Sequence, residues 1–192
     1  MYRARVFLAS TDVELRRRLR ALLPKEGYQV VGEADSGAEA LRRIRAVPPE
    51  LVVLDDELPG GLEVLRVVTD DRLGAVVLLT SVWQRDLGAR LAGSGLVGFA
   101  LKPVRSATLL PALETCLAAY RRVTALEEEV GRLKERLETR KVVEKAKGIL
   151  MQTLGLTEQE AYRRIQKESM DRCTSMRAIA DAIILAHELR NK

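Results

Sequence analysis

The chain has 192 residues, 47% of them apolar and 31% charged, with a formal net charge of +5. That is enough length for one or two packed domains, and no apolar run approaches the roughly 20 residues of a membrane span. The opening "MYRARVFLAS" begins a short strand-like run without the longer apolar region of a secretory leader, so the expected location is cytoplasmic, with no membrane partner.

The charge is uneven. Residues 1–120 carry 16 Lys+Arg against 15 Asp+Glu, whereas residues 121–192 carry 16 against 12, a hint of an anionic partner for the C-terminal part. Arginine outnumbers lysine and Asn191 is the only asparagine, which fits either a thermophile or a genome composition bias. Cys116 and Cys173 fall on different predicted helices without metal-type spacing and are expected as buried free thiols. No nucleophile–base pair, phosphate loop or metal cluster points to an enzyme, and no cofactor is expected.

In residues 1–120 the runs "ARVFLA", "YQVVG", "ELVVLD", "GAVVLLT" and "LVGFALK" alternate with the helical patterns "DVELRRRLRALL", "SGAEALRRIRAV" and "SATLLPALETCLAAY". Continuous Val/Leu runs suit strands buried on both faces, and βα alternation implies right-handed crossovers. The expected fold is α/β, a doubly wound five-stranded parallel sheet. Its functional site should lie at the carboxyl ends of the strands, where Ser10-Thr11-Asp12, Asp55, Thr80 and Lys102-Pro103 fall; Trp83 follows the fourth strand close to Thr80.

This set resembles the flavodoxin-like receiver domain of two-component response regulators. The resemblance implies Asp55 as phosphoacceptor, Thr80 and Lys102 as its switch partners, and Phe99, three residues before the lysine, as the aromatic that changes rotamer. Two departures matter. Where the family has an acidic pair for Mg²⁺, this chain has Ser10 and Thr11, and the loop after Asp55 is about two residues shorter than the family form. Phosphoryl transfer to a carboxylate needs a divalent ion, and Mg²⁺ prefers carboxylates and water. The favoured reading is therefore a degenerate receiver in which Asp55 and Lys102 form a partly buried ion pair, Mg²⁺ binding is doubtful, and control comes from a regulatory binding protein or constitutive dimerisation. Phosphorylation by a sensor kinase is the alternative, with Asp12, Asp56 or Glu57 as substitute ligands.

From Cys116 the apolar positions continue through Ala119, Val123, Leu126, Val130, Leu133 and Leu137, spaced 3, 4, 3, 4, 3, 4. That narrow seam predicts a coiled coil over 121–139 and a homodimer, with Glu129 and Lys134 placed to pair across a parallel interface. A single helix folded back on the receiver is the other reading. The last receiver helix is expected to run into it unbroken.

Residues 140–192 change to a wider apolar face and predict a small three-helix unit. The long helix continues through Val142, Val143, Ala146, Ile149, Leu150 and Leu154 to about Thr153 and ends at Gly155. A second helix opens with a Thr157/Glu160 capping box and turns Ala161, Ile165 and Met170 inward. A third is capped by Thr174 or Ser175, with Met176, Ile179, Ala180, Ile183 and Ile184 inward.

The run "VVEKAKGILMQTLGLTEQEAYRRIQKESM" with the later "IADAII" closely resembles the ANTAR domain of bacterial transcription antitermination regulators. The resemblance implies binding of paired RNA stem-loops in nascent mRNA. Lys147 is read as a phosphate or base-edge donor, with Arg163, Arg164, Lys167, Arg172 and Arg177 extending one basic surface. Gly148 either admits RNA or permits a tight helix crossing, since glycine costs a helix interior about 1 kcal/mol. Tyr162 is read as core beside Ala161, with base stacking as the alternative, and His187 as a surface residue. Two rivals to RNA binding remain. A DNA-binding regulator would need a basic recognition helix, for which "TSMRAIADAIILAHE" is too apolar and acidic; the other rival is a protein–protein adaptor.

Overall fold

The computed structural model describes residues 2–81 and 97–190, and Trp83 lies outside them. The first compact unit, to Ala125, holds strands β1 (Ala4–Ala9), β2 (Tyr28–Ala34), β3 (Leu51–Asp55), β4 (Ala75–Thr80) and β5 (Val97–Leu101), all parallel in the order β2-β1-β3-β4-β5. Helices α1 (Val13–Leu22), α2 (Gly37–Ala46) and α3 (Gly61–Asp70) connect them. Successive strand residues point to opposite faces, and both faces are covered. Val6, Leu8, Leu51 and Val53 pack with Leu15 and Leu19 of α1 and with Leu109 and Leu113. Phe7, Ala9, Val52 and Leu54 pack with Ala40, Ile44, Val64 and Val68 of α2 and α3.

Three glycines make this packing possible. The β1–β2 register shifts after Val6, so that Phe7 pairs Gly32; a Cβ at Gly32 would meet the Phe7 ring. Asp12 ends the first βα turn by accepting the Leu15 amide at 3.0 Å, capping α1. Gly60 takes φ +77° before α3, and the backbone of Gly37 lies against it too closely for a side chain there.

Helix α4 spans Ser106–Leu154 without a break, crossing the expected divisions at 120/121 and 139/140, while the compact units divide at Ala125/Leu126. Its start belongs to the first unit. Cys116 is buried there, its thiol pushed up to about 11 by burial, and Val123 packs partly against the same apolar layer. Val123 is thus a correction to the expected coiled-coil seam. From Leu126 onward the seam is uncovered, with Leu126, Val130, Leu133 and Leu137 each about half exposed (57%, 48%, 47% and 58%).

The second unit adds α5 (Glu158–Asp171) and α6 (Met176–Arg190). Gly155 ends α4 with φ +67° and its amide donating to Met151, the left-handed stop that favours glycine. Thr157 and Glu160 form the capping box, and the Ser175 hydroxyl accepts the Ala178 amide at 3.1 Å, so Ser175 rather than Thr174 caps α6. Val143, Ala146, Leu150, Ala161, Ile165, Ile179 and Ala180 form the core. Met170 is a correction: it is 71% exposed, and Ser169 is buried instead, its hydroxyl donating to the Gln166 carbonyl. Cys173 is a second. It sits exposed in the α5–α6 turn at φ +49°, because the turn needs a left-handed residue there, not a core thiol.

Candidate functional site

Asp55, at the carboxyl end of β3, is only 2% exposed, so its charge needs partners. The Ser10 hydroxyl at the end of β1 donates to Oδ2 at 2.6 Å. Lys102 Nζ, after β5, donates to Oδ1 at 2.6 Å, and the Glu57 amide donates to the same oxygen at 3.0 Å. Lys102 also reaches Asp56 Oδ1 at 3.0 Å. Thr80, buried at the end of β4, hydrogen-bonds Asp56. Burial alone would raise the Asp56 pKa, but the hydrogen bonds from Thr80 and Lys102 prevail and hold it below the usual carboxylate value. Lys102 shows the converse: burial opposes its charge, and Asp55 and Asp56 outweigh that and raise it. Phe99 is half-buried against the Phe7 layer.

Ser10 and Thr11 stand where receivers of this fold carry the acidic pair that holds Mg²⁺. Ser10 Oγ, at the position of the family's acidic pair, is already committed to Asp55 and to the Asp12 amide at 3.1 Å. The Asp12 carboxylate is occupied in capping α1, and the Lys102 ammonium stands against the Asp55 and Asp56 oxygens. What this centre does is hold a buried carboxylate in a closed network of neutral and cationic donors. Sequence reasoning found these positions but treated Ser10 only as a missing ligand; its role as donor to Asp55 depends on β1 and β3 being neighbours.

In the second unit, Lys147 requires a correction. It is 5% exposed, and its ammonium is held between Glu144 at 2.9 Å, one turn back, and Glu158 at 2.7 Å, at the start of α5. Its hydrogen bonds to Glu158 and then to Glu144 raise its pKa, and Lys147 in turn lowers that of Glu158. The lysine therefore ties α4 to α5 and does not present a free donor. Among the described residues, no other helix comes within 4 Å of the position a Cβ would take at Gly148, which removes the tight crossing within the unit as its reason. Tyr162 is a further correction: it is 43% exposed and outside the core cluster, because Ala161 and Ile165 take the inward face of α5.

Of the expected basic surface, Arg163, Arg164 and Lys167 are exposed on α5, with no ion pair among the described residues. Arg172 is paired with Glu168 at 3.0 Å and Arg177 with Asp181 at 3.9 Å, each on its own helix or cap. Arg132, Arg136 and Arg140 on α4 went unremarked in the sequence. Their spacing of four was the available signal, and they line a recess beside Tyr162.

A receiver sheet with Asp55, Thr80 and Lys102 at its carboxyl edge, followed by a long helix and a small helical unit, defines a response-regulator-like transcription regulator. Residues 6–114 match the response regulator receiver domain and residues 131–184 the ANTAR domain, and the chain belongs to this family of receiver–ANTAR regulators. It is 39% identical to the transcriptional regulatory protein PdtaR of Mycobacterium tuberculosis, over 94% of this chain and 89% of that one. The response regulator GacA of Pseudomonas viridiflava is 32% identical over 55% of this chain and 50% of its own length. Among solved structures, a LuxR-family two-component response regulator from Aurantimonas sp. is 31% identical with a TM-score of 0.54, covering 60% of this chain and 85% of that one. The BeF3-activated receiver domain of RstA from Klebsiella pneumoniae is 30% identical with a TM-score of 0.52, covering 59% and 97%. These are regulatory families, and no helix among the described residues is long and apolar enough to cross a membrane.

Proposed function

We propose that the protein is a homodimeric transcription antiterminator whose ANTAR unit binds RNA stem-loops in nascent transcripts. The observation that carries this reading is the set of exposed, unpaired cations Arg163, Arg164 and Lys167 on α5, inside the segment that matches the ANTAR domain. Phosphate binding by such a set releases counterions and gives an affinity that falls with salt. Gly148, open on its helix surface, leaves room on α4 for a close backbone approach. Dimerisation is supported by the uncovered Leu126–Leu137 seam, whose heptad spacing suits a second copy of the same helix.

The input differs from that of a phosphorylated receiver. With Asp55 already satisfied by Ser10, Lys102 and the Glu57 amide, control falls to a regulatory binding protein or to constitutive dimerisation. Filter binding of the full chain to an RNA with paired hairpins tests the function. Retention that weakens as salt rises is expected, and no retention at low salt leaves a protein–protein adaptor as the role of the long helix.

A further inference from the structure

We infer that the recess between α4, α5 and α6 is a pocket for one unpaired RNA base, with Tyr162 as its stacking platform. The recess has a volume of about 500 Å³ and is lined by Arg132, Arg136, Thr139, Arg140, Tyr162 and Met176, together with the acidic Glu135 and Glu144. That is within the roughly 300–1,000 Å³ of small-ligand sites.

Three independent features point to a nucleotide. Tyr162 is exposed at 43% on a helix whose inward positions are Ala161 and Ile165, so the ring is spent neither in the core nor on a buried partner. Bases stack on such rings with little regard to sequence. Arg136 and Arg140 make no ion pair or side-chain hydrogen bond among the described residues, while Arg132 is paired only with Glu129 on its own helix. Guanidinium groups clamp phosphates bidentately and stack on base faces. Glu135 adds a carboxylate acceptor suited to amino and imino groups on a base edge, whereas a purely anionic ligand would avoid it. Of the α4 lining, Arg140 and Glu144 continue the line of the seam, and the rest of that wall is turned away from it. At about 100° per residue, Arg132, Arg136, Thr139 and Val143 lie roughly a third of a turn round α4 from the Val130–Leu133–Leu137 seam.

This inference rests on the RNA-binding reading and adds the site and the loop base to it. The test uses the full chain and two fluorescein-labelled RNAs: a pool of stem-loops with randomised loops, and the same stem as a blunt duplex. Binding is read by anisotropy for wild type, Tyr162→Phe, Tyr162→Ala and Arg136→Gln/Arg140→Gln. Wild type and Tyr162→Phe should prefer the stem-loop pool. Tyr162→Ala should lose about tenfold on the pool and little on the duplex, with an unchanged thermal melt because the ring is outside the core. The double arginine variant should lose affinity for both RNAs and show a shallower salt dependence. Equal binding of the pool by Tyr162→Ala and wild type would overturn the pocket and leave the RNA-binding function standing. A wild type that binds neither RNA would overturn both.

Discussion

A buried carboxylate at Asp55 is tolerable only because Lys102, Ser10 and the Glu57 amide all donate to it, and removing one donor strands the charge. Lys102→Met is therefore expected to destabilise the receiver unit by about 2 kcal/mol. Combining it with Asp55→Asn should recover much of that, a coupling measurable in urea melts of the two singles and the double. The pH dependence follows from the same network. The Asp56 pKa is held below 3.8, so its stabilisation is fully present above that value and is lost as pH falls through the lower folded one. Lys102, raised above 10.5, stabilises fully below that value and loses its contribution only as pH rises through the higher folded one. The contribution of this network to the melting temperature should thus be flat between these limits and fall on the acid side, less steeply in Asp56→Asn. The network also bears on phosphorylation. Incubation with acetyl phosphate and Mg²⁺ should leave the intact mass unchanged in wild type, and a mass gain at Asp55 should need Ser10→Asp/Thr11→Asp. A stable wild-type adduct abolished by Asp55→Asn would refute the degenerate reading.

At the scale of elements, the strands touch helices closely enough that single atoms matter. A Cβ at Gly98 of β5 would fall inside van der Waals contact with Cys116 Sγ on α4. Gly98→Ala should cost about 1–3 kcal/mol as overpacking, and Cys116→Ala should relieve it. Non-additive urea midpoints check the pair. The long helix carries the second prediction at this scale. Leu126→Lys/Leu133→Lys should give a monomer by sedimentation while leaving the circular dichroism of both units intact, since these side chains cover no core within the chain. A wild type already monomeric at micromolar concentration would contradict the seam. Much of this level was readable from the sequence by local rules: apolar runs bounded by turns, the Thr157/Glu160 box, the left-handed Gly155. The failures were non-local. Lys147 looked like a free cation because Glu158, eleven residues on, meets it only after the α4–α5 turn has formed. Met170 and Ser169 differ by one position on a helix whose exact facing depends on what α6 presents. Tyr162 was assigned to the core because nothing in the sequence reveals the recess beside it.

Over the whole molecule, the two units divide input from output, and α4 is the one element shared by both. The second unit has a small core and an exposed apolar seam, a combination that a second copy would complete. Two RNA-binding units in one dimer would engage two stem-loops of one transcript, and linking two sites can raise apparent affinity by about 10² to 10⁴ over one. The decisive measurement is an anisotropy titration of the full chain with an RNA bearing two hairpins, set against the same RNA with one hairpin opened by mutation. Antitermination by a dimeric ANTAR regulator predicts binding to the two-hairpin RNA at least tenfold tighter, with the difference lost in Leu126→Lys/Leu133→Lys. Equal affinity for the two RNAs, or no binding to either, would contradict it.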